Sequence, residues 1–180
     1  DEIQKTVEAF GGIAIMTDPG HRSGSDRVAE VAAQLPDAEI VVNVQGDEPE
    51  LSGDAIDLVV DMLVDHPHSV MSTLATPIRS LQQLADPSCV KVVFDDAGQA
   101  LYFSRSPIPY VQQHQTDALF DDPMPHFFQH VGLYAYRRDF LSGFAHMPPS
   151  RLEQLENLEQ LRALAAGYRI QVGVVDEPTV

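Results

Sequence analysis

The segment Glu39-Ile-Val-Val-Asn-Val-Gln-Gly-Asp-Glu-Pro-Glu50 constrains this chain more than any other stretch. Residues 40–44 are mostly β-branched and predict a strand buried in a parallel sheet. The run stops abruptly at Gln45-Gly46-Asp47-Glu48-Pro49. Ligands of open α/β sheets sit beyond the carboxyl ends of strands, so this loop falls where chemistry is expected. Gly46 removes a side chain where backbone would approach a ligand. Asp47 and Glu48 offer hard oxygens of the kind Mg²⁺ takes when it carries phosphates. A plain acidic turn is the competing reading, because Asp, Gly and Pro favour turns on their own.

A length of 180 residues suits one domain, residues 1–180, with a substantial core, and 44% apolar with 21% charged residues is an ordinary globular balance. The formal net charge of −16 argues against a nucleic-acid surface, which needs a basic patch to displace counterions. An anionic substrate must therefore be drawn in by local cations against the overall field. Cys89 is the only cysteine, so an intrachain disulfide and a cysteine-based zinc cluster are excluded, and a packed thiol is expected. No stretch has the length of a membrane span, and the start carries no signal-peptide pattern. The cytoplasm is the expected location.

Apolar periodicity predicts helices over residues 1–10, 25–35 and 54–64, alternating with strands over 13–16 and 40–44. This alternation implies a Rossmann-like mixed, mostly parallel sheet layered by helices. The second half is richer in strand: residues 70–75, 90–94, 99–103 and 127–138, with a hairpin turn at Asp95-Asp-Ala-Gly98. Residues 151–166 form the clearest helix, and 169–175 the final strand. Residues 107–125 are rich in Pro, Gln, His and Asp without periodicity and read as a long loop.

Five motifs in order carry a family resemblance. They are His21-Arg-Ser-Gly-Ser-Asp-Arg27, Val42-Asn-Val-Gln-Gly-Asp-Glu-Pro49, Leu101-Tyr-Phe-Ser-Arg-Ser-Pro-Ile-Pro109, His130-Val-Gly-Leu-Tyr-Ala-Tyr136 and Leu158-Glu-Gln-Leu-Arg162. Together they resemble the 3-deoxy-manno-octulosonate (KDO) cytidylyltransferases over essentially the whole chain. The resemblance implies an α/β fold of the nucleotide-diphospho-sugar transferase type, with a smaller β-rich portion for sugar binding and dimerisation. It also implies CTP and KDO as substrates, Mg²⁺ as cofactor and a homodimer. Family members carry an N-terminal strand, a triphosphate-gripping loop and a later metal-binding aspartate that have no counterpart here. The chain is thus expected to be incomplete at both ends.

By that resemblance Asp47 is the Mg²⁺ ligand, and Gln45 and Gly46 line the nucleotide ribose. Ser23 and Gly24 offer backbone N–H groups at a helix start to the nucleotide, while Ser25 is equally suited to cap that helix. Arg27 matches an arginine on the nucleotide side, against the alternative of a solvated helix arginine. Arg105, at a strand end before the stiff Pro107-Ile-Pro109, suits bidentate grip of a sugar-acid carboxylate. Asp47 and Arg105 are the expected catalytic residues. His130 and Tyr134 are four apart on one strand and so share a face, as a sugar pocket requires; a packed Tyr with an exposed His is the alternative. On a continuous helix from 151, Glu159 and Arg162 fall on the leucine side, where they either pair with each other or face a ligand. The resemblance maps a sugar-contacting Glu-Gln pair onto Glu159 and Gln160. No nucleophile–base pair stands out.

The expected activity is cytidylyl transfer from CTP to KDO for lipopolysaccharide biosynthesis. A cytidylyltransferase for another sugar acid, of the sialic acid type, is the nearest alternative, and a non-catalytic nucleotide- or sugar-binding fragment is the alternative of a different class. An acidic receiver-like module is disfavoured by the strand-rich second half.

Overall fold

The structure is a computed structural model that describes residues 2–21, 23–45, 51–112, 119–120 and 122–176. Its strands are β1 (Ile40–Asn43), β2 (Met71–Pro77), β3 (Lys91–Phe94), β4 (Ala100–Ser104), β5 (Phe128–Arg137) and β6 (Ile170–Val174). The helices are α1 (Glu2–Ala9), α2 (Gly24–Ala33), α3 (Gly53–Asp65), α4 (Leu81–Ala85), α5 (Arg138–Phe144), α6 (Arg151–Glu156) and α7 (Gln160–Ala165).

Among the described residues the six strands form one sheet, ordered β4-β3-β5-β2-β6, with β1 also paired to β5. β5 organises it. One edge of β5 runs along β2, while the other takes β1 near its end and β3 near its start, all antiparallel. The sheet is mixed, as expected, and β1, β2, β3 and β6 share one direction. What the structure corrects is adjacency: β5 runs between them in the other direction, so β2–β6 is the one parallel hydrogen-bonded pair among the described residues. The pairing partners of β5 lie 36 to 97 residues away (Val92 with Phe128, Ile40 with Arg137), beyond the reach of local pattern.

Side-chain alternation separates the two faces. Leu74, Leu133 and Ala135 face α3, which buries Ala55, Val59, Met62 and Leu63 against them. Met71, Ala75, Tyr136 and Ile170 face the other layer, built from α2, α5 and α7. A third cluster gathers Ile78, Leu84, Cys89 and Phe127 with Leu119 and Phe120. Cys89 is a buried free thiol, as expected.

Local chemistry fixes the ends. Ser52 caps α3 by accepting from Ala55 N at 3.2 Å, and Ser150 caps α6 in a reciprocal box with Glu153. The hairpin of β3 and β4 turns where expected, with Gly98 at φ +74°, a conformation L-residues rarely adopt. Two expectations fail. Residues 13–16 form no strand; Ile13 is exposed and has no partner strand among the described residues. The helix expected over 151–166 breaks at Asn157, whose left-handed φ of +53° ends α6 before α7 begins.

Candidate active site

Six elements converge on a small cavity of about 90 Å³ beside the end of β1, with Met71 of β2 and Phe144 of α5 in its lining. β1 and its exit contribute Asn43 and Gln45, and β5 contributes Tyr134 and Tyr136. The first turn of α2 contributes Gly24 and Ser25, and the start of α7 contributes Glu159 and Gln160. Five residues expected in the site from sequence therefore meet here: Gly24, Gln45, Tyr134, Glu159 and Gln160.

The break at Asn157 is what places the last two. A continuous helix would have put Glu159 among leucines; instead Glu159 stands at the head of a new helix and turns its carboxylate to the cavity. Arg162 does not depend on Glu159. It forms a two-point ion pair with Glu153, Nε–Oε2 2.9 Å and Nη2–Oε1 2.5 Å, and approaches Glu159 Oε1 only to 3.5 Å. Its guanidinium also lies 4.9 Å from the centre of the Phe144 ring. The salt-bridge partner suggested by helical spacing is thereby corrected: the main partner comes from α6. Glu159 keeps its acceptor capacity and takes a 2.7 Å hydrogen bond from Ser25 Oγ.

Gln160 is only 4% exposed, and its Nε2 has no partner among the described residues. An unsatisfied buried amide costs on the order of 1–3 kcal/mol. Such a group persists where a ligand or a water takes its hydrogen.

His130 and Tyr134 share a face, their ring centroids 5.2 Å apart, because a bulge in β5 opposite Thr73 and Leu74 adds two residues and preserves the parity. His130 does not line the cavity; it stands behind Tyr134, edge-on to Phe103. Thr73 Oγ1 lies 2.8 Å from Leu133 O and 3.1 Å from Val131 O, and one of these carbonyls takes its single proton. His130 Nε2, 3.0 Å away, must then donate to Thr73, which fixes the Nε2–H tautomer. Burial pushes this imidazole down to about 3, so it is neutral at physiological pH. Burial likewise raises the Tyr134 phenol well above its usual range.

The remaining expected residues lie apart from the cavity. Ser23 caps α2, accepting from Asp26 N at 3.2 Å. Arg27 is on the surface, bonded to Thr17 Oγ1 at 2.9 Å. Arg105 directs two nitrogens to backbone: Nε donates to Glu156 O at 2.8 Å and Nη1 to Pro87 O at 3.0 Å. Its guanidinium clasps the end of β4 to the end of α6. Gly46 and Asp47, with Glu48, lie outside the described residues. Among the described residues, no group of three or more His, Cys, Asp or Glu side chains is placed to hold a metal ion.

Sequence reasoning missed Asn43 and Tyr136, and left Ser25 between two roles. Asn43 interrupts an otherwise aliphatic strand, and Tyr136 shares its face with Tyr134. Those are the signals that could have found them.

The cytidylyltransferase family model matches residues 1–170. The 3-deoxy-manno-octulosonate cytidylyltransferase of Rhodopirellula baltica is 48% identical over 170 residues, covering 94% of this chain and 68% of its own length. That of Geotalea daltonii is 49% identical over 179 residues, covering 98% of this chain and 70% of its own. A solved structure of CMP:2-keto-3-deoxy-manno-octonic acid synthetase complexed with CTP superposes with a TM-score of 0.87 at 41% identity, covering 99% of this chain and 71% of that one. The chain belongs to the cytidylyltransferase family, among the 3-deoxy-manno-octulosonate cytidylyltransferases.

Proposed function

We propose that this protein transfers the cytidylyl group of CTP to KDO, releasing pyrophosphate and supplying an activated sugar for lipopolysaccharide assembly in the cytoplasm. The observation that carries the sugar side is the pairing of Glu159, a carboxylate with spare acceptor capacity, and Gln160, a buried donor without a partner among the described residues, at the head of α7. An acceptor beside a donor suits the hydroxyl groups of a sugar acid. Gln45, at the exit of β1, marks the nucleotide side next to it.

The anomeric hydroxyl oxygen of KDO forms the new bond to the α-phosphorus, and the bond from that phosphorus to the bridging oxygen of pyrophosphate breaks in line. The hydroxyl proton is lost to solvent. Such transfers rest on positioning and charge stabilisation rather than on a covalent intermediate. Glu159 and Gln160 orient the sugar, and Tyr134 with neutral His130 behind it forms one wall. Asp47 offers the hard oxygen that Mg²⁺ takes together with phosphates, and the bound ion would neutralise phosphate charge. Family resemblance supports a homodimer. Among the described residues no helix is long and apolar enough to cross a membrane.

The test is ³¹P NMR of CTP incubated with the protein, Mg²⁺ and KDO. The expected result is one CMP phosphodiester and one pyrophosphate per KDO consumed, with a sialic acid inert. Conversion of the sialic acid in preference to KDO would refute the substrate assignment.

A further inference from the structure

Arg105 carries a positive charge that no carboxylate answers. Its Nε donates to Glu156 O at 2.8 Å and its Nη1 to Pro87 O at 3.0 Å, both backbone carbonyls. Among the described residues Nη2 has no hydrogen-bond partner and the guanidinium forms no ion pair. In a chain of net charge −16, a half-buried cation left unpaired is a place for an anion.

Glu156 is the neighbour that could have paired with it, and its carboxylate is engaged elsewhere. Both oxygens close on the turn that follows β4. Oε1 takes the Ser104 hydroxyl proton at 2.6 Å, and Oε2 takes the Arg105 backbone N–H at 2.9 Å. Ser104, only 3% exposed, accepts in turn from Ser106 N at 3.0 Å. One carboxylate thus holds three consecutive residues, 104–106, while the carbonyl of the same residue holds the Arg105 side chain at Nε. Hydrogen bonds to an ionised acceptor are about twice as strong as neutral ones, so the turn is held firmly.

The clasp ties the guanidinium to the sugar end of the cavity. Asn157 turns the chain left-handed directly after Glu156, and Glu159 and Gln160 follow at the head of α7. From the strand side, Phe103 lies two residues before Arg105 and stands edge-on to His130, ring centroids 5.1 Å apart, behind Tyr134. Arg105 is therefore linked through one short segment, 156–160, to the two residues proposed to hold the sugar hydroxyls.

We infer that Glu156 is a positioning residue for KDO binding, acting through Arg105: its carboxylate fixes the 104–106 turn so that the free guanidinium nitrogen meets the carboxylate of the sugar acid while Glu159 and Gln160 hold its hydroxyls. This rests on the cytidylyltransferase reading of the same cavity. Glu156 does not itself touch the substrate, since both its oxygens face the turn.

Steady-state kinetics with KDO and CTP varied separately, on wild type, Glu156→Ala, Glu156→Gln, Arg105→Ala and the doubles of each Glu156 variant with Arg105→Ala, test it. Arg105→Ala removes the direct contact and should raise the KM for KDO about thirtyfold. Glu156→Ala frees the turn and should raise it about tenfold. Glu156→Gln keeps the shape and one acceptor oxygen and should raise it about threefold; it carries the test where the alanine variant does not fold. The KM for CTP and kcat should stay within about twofold throughout. On the Arg105→Ala background, either Glu156 substitution should add less than about twofold, because the group it positions is gone. Equal rises in both KM values, the same loss with and without Arg105, or an Arg105→Ala variant with an unchanged KM for KDO would overturn the inference and leave the function standing. A wild type that turns over CTP without KDO dependence would overturn the function and the inference together.

Discussion

Replacing Glu153 with glutamine should be the most damaging single change to the scaffold that does not touch the cavity. The Arg162 and Glu153 side chains are 8% and 12% exposed, and the carboxylate takes two bonds from the guanidinium while accepting from Ser150 N at 3.0 Å. The amide introduced by Glu153→Gln would keep the capping acceptor, so the substitution isolates the charge. It leaves Arg162 Nε with that neutral oxygen, sets an amide N–H against Nη2 in place of the second carboxylate oxygen, and leaves only Phe144 O at 3.3 Å and a distant Glu159 as further acceptors. Breaking a buried pair from one side costs about 3 kcal/mol or more. At about 2–4 °C per kcal/mol for a chain of this size, Tm should fall by about 9 °C. The freed guanidinium should also swing to Glu159 and raise the KM for KDO. The double variant Glu153→Gln/Arg162→Met removes both charges and should recover most of the lost Tm, because the cost lies in the unpaired charge. Thermal unfolding of the three proteins decides it. A single variant within about 2 °C of wild type, or a double variant as unstable as the single, would refute the reasoning.

His130 makes stability depend on pH. Burial holds its folded imidazole near 3, against about 6.5 in the unfolded chain, so the unfolded state takes the proton first. Its stabilisation is complete above about pH 6.5 and drains away as pH falls towards 3. Between about pH 7 and 5 urea unfolding should lose about 2 kcal/mol that a His130→Gln variant does not lose; equal slopes would contradict it. Gly98→Ala forces a Cβ onto a φ of +74° and within 2.6 Å of Gln171 Nε2. It should cost about 1–2 kcal/mol, read as a Tm drop of about 3–6 °C, and an unchanged Tm would contradict the turn geometry. Gln160→Met replaces an unpartnered buried amide with an apolar side chain and should raise Tm in the absence of substrate; a fall would show that the amide is satisfied by the protein. Asp47→Ala should abolish Mg²⁺-dependent turnover with Tm unchanged, and retained turnover would remove Asp47 from the metal site.

The parts legible in the sequence are those written locally. The apolar stripe of α3, the Asp95–Gly98 turn and the β-branched run of β1 each carry a short-range signal, and each element lies where that signal placed it. Family motifs identified Gly24, Gln45, Tyr134, Glu159 and Gln160, which the fold brings to one cavity. What was illegible depends on distance or on a single torsion. Helical spacing could not show that Asn157 takes a left-handed turn, so it offered Glu159 rather than Glu153 as the partner of Arg162. Nor could periodicity place β5 between β1 and β2, since its partners lie far away in the chain.

On the proposed function, the head of α7 binds KDO beside a nucleotide held at the end of β1. The most direct measurement is the initial rate of pyrophosphate release from CTP and Mg²⁺ as KDO is varied, for wild type and Gln160→Met. Wild type should release pyrophosphate only with KDO present, and Gln160→Met should keep the KM for CTP while its KM for KDO rises about tenfold. Release independent of KDO, or a Gln160→Met variant indistinguishable from wild type in its response to KDO, would contradict it.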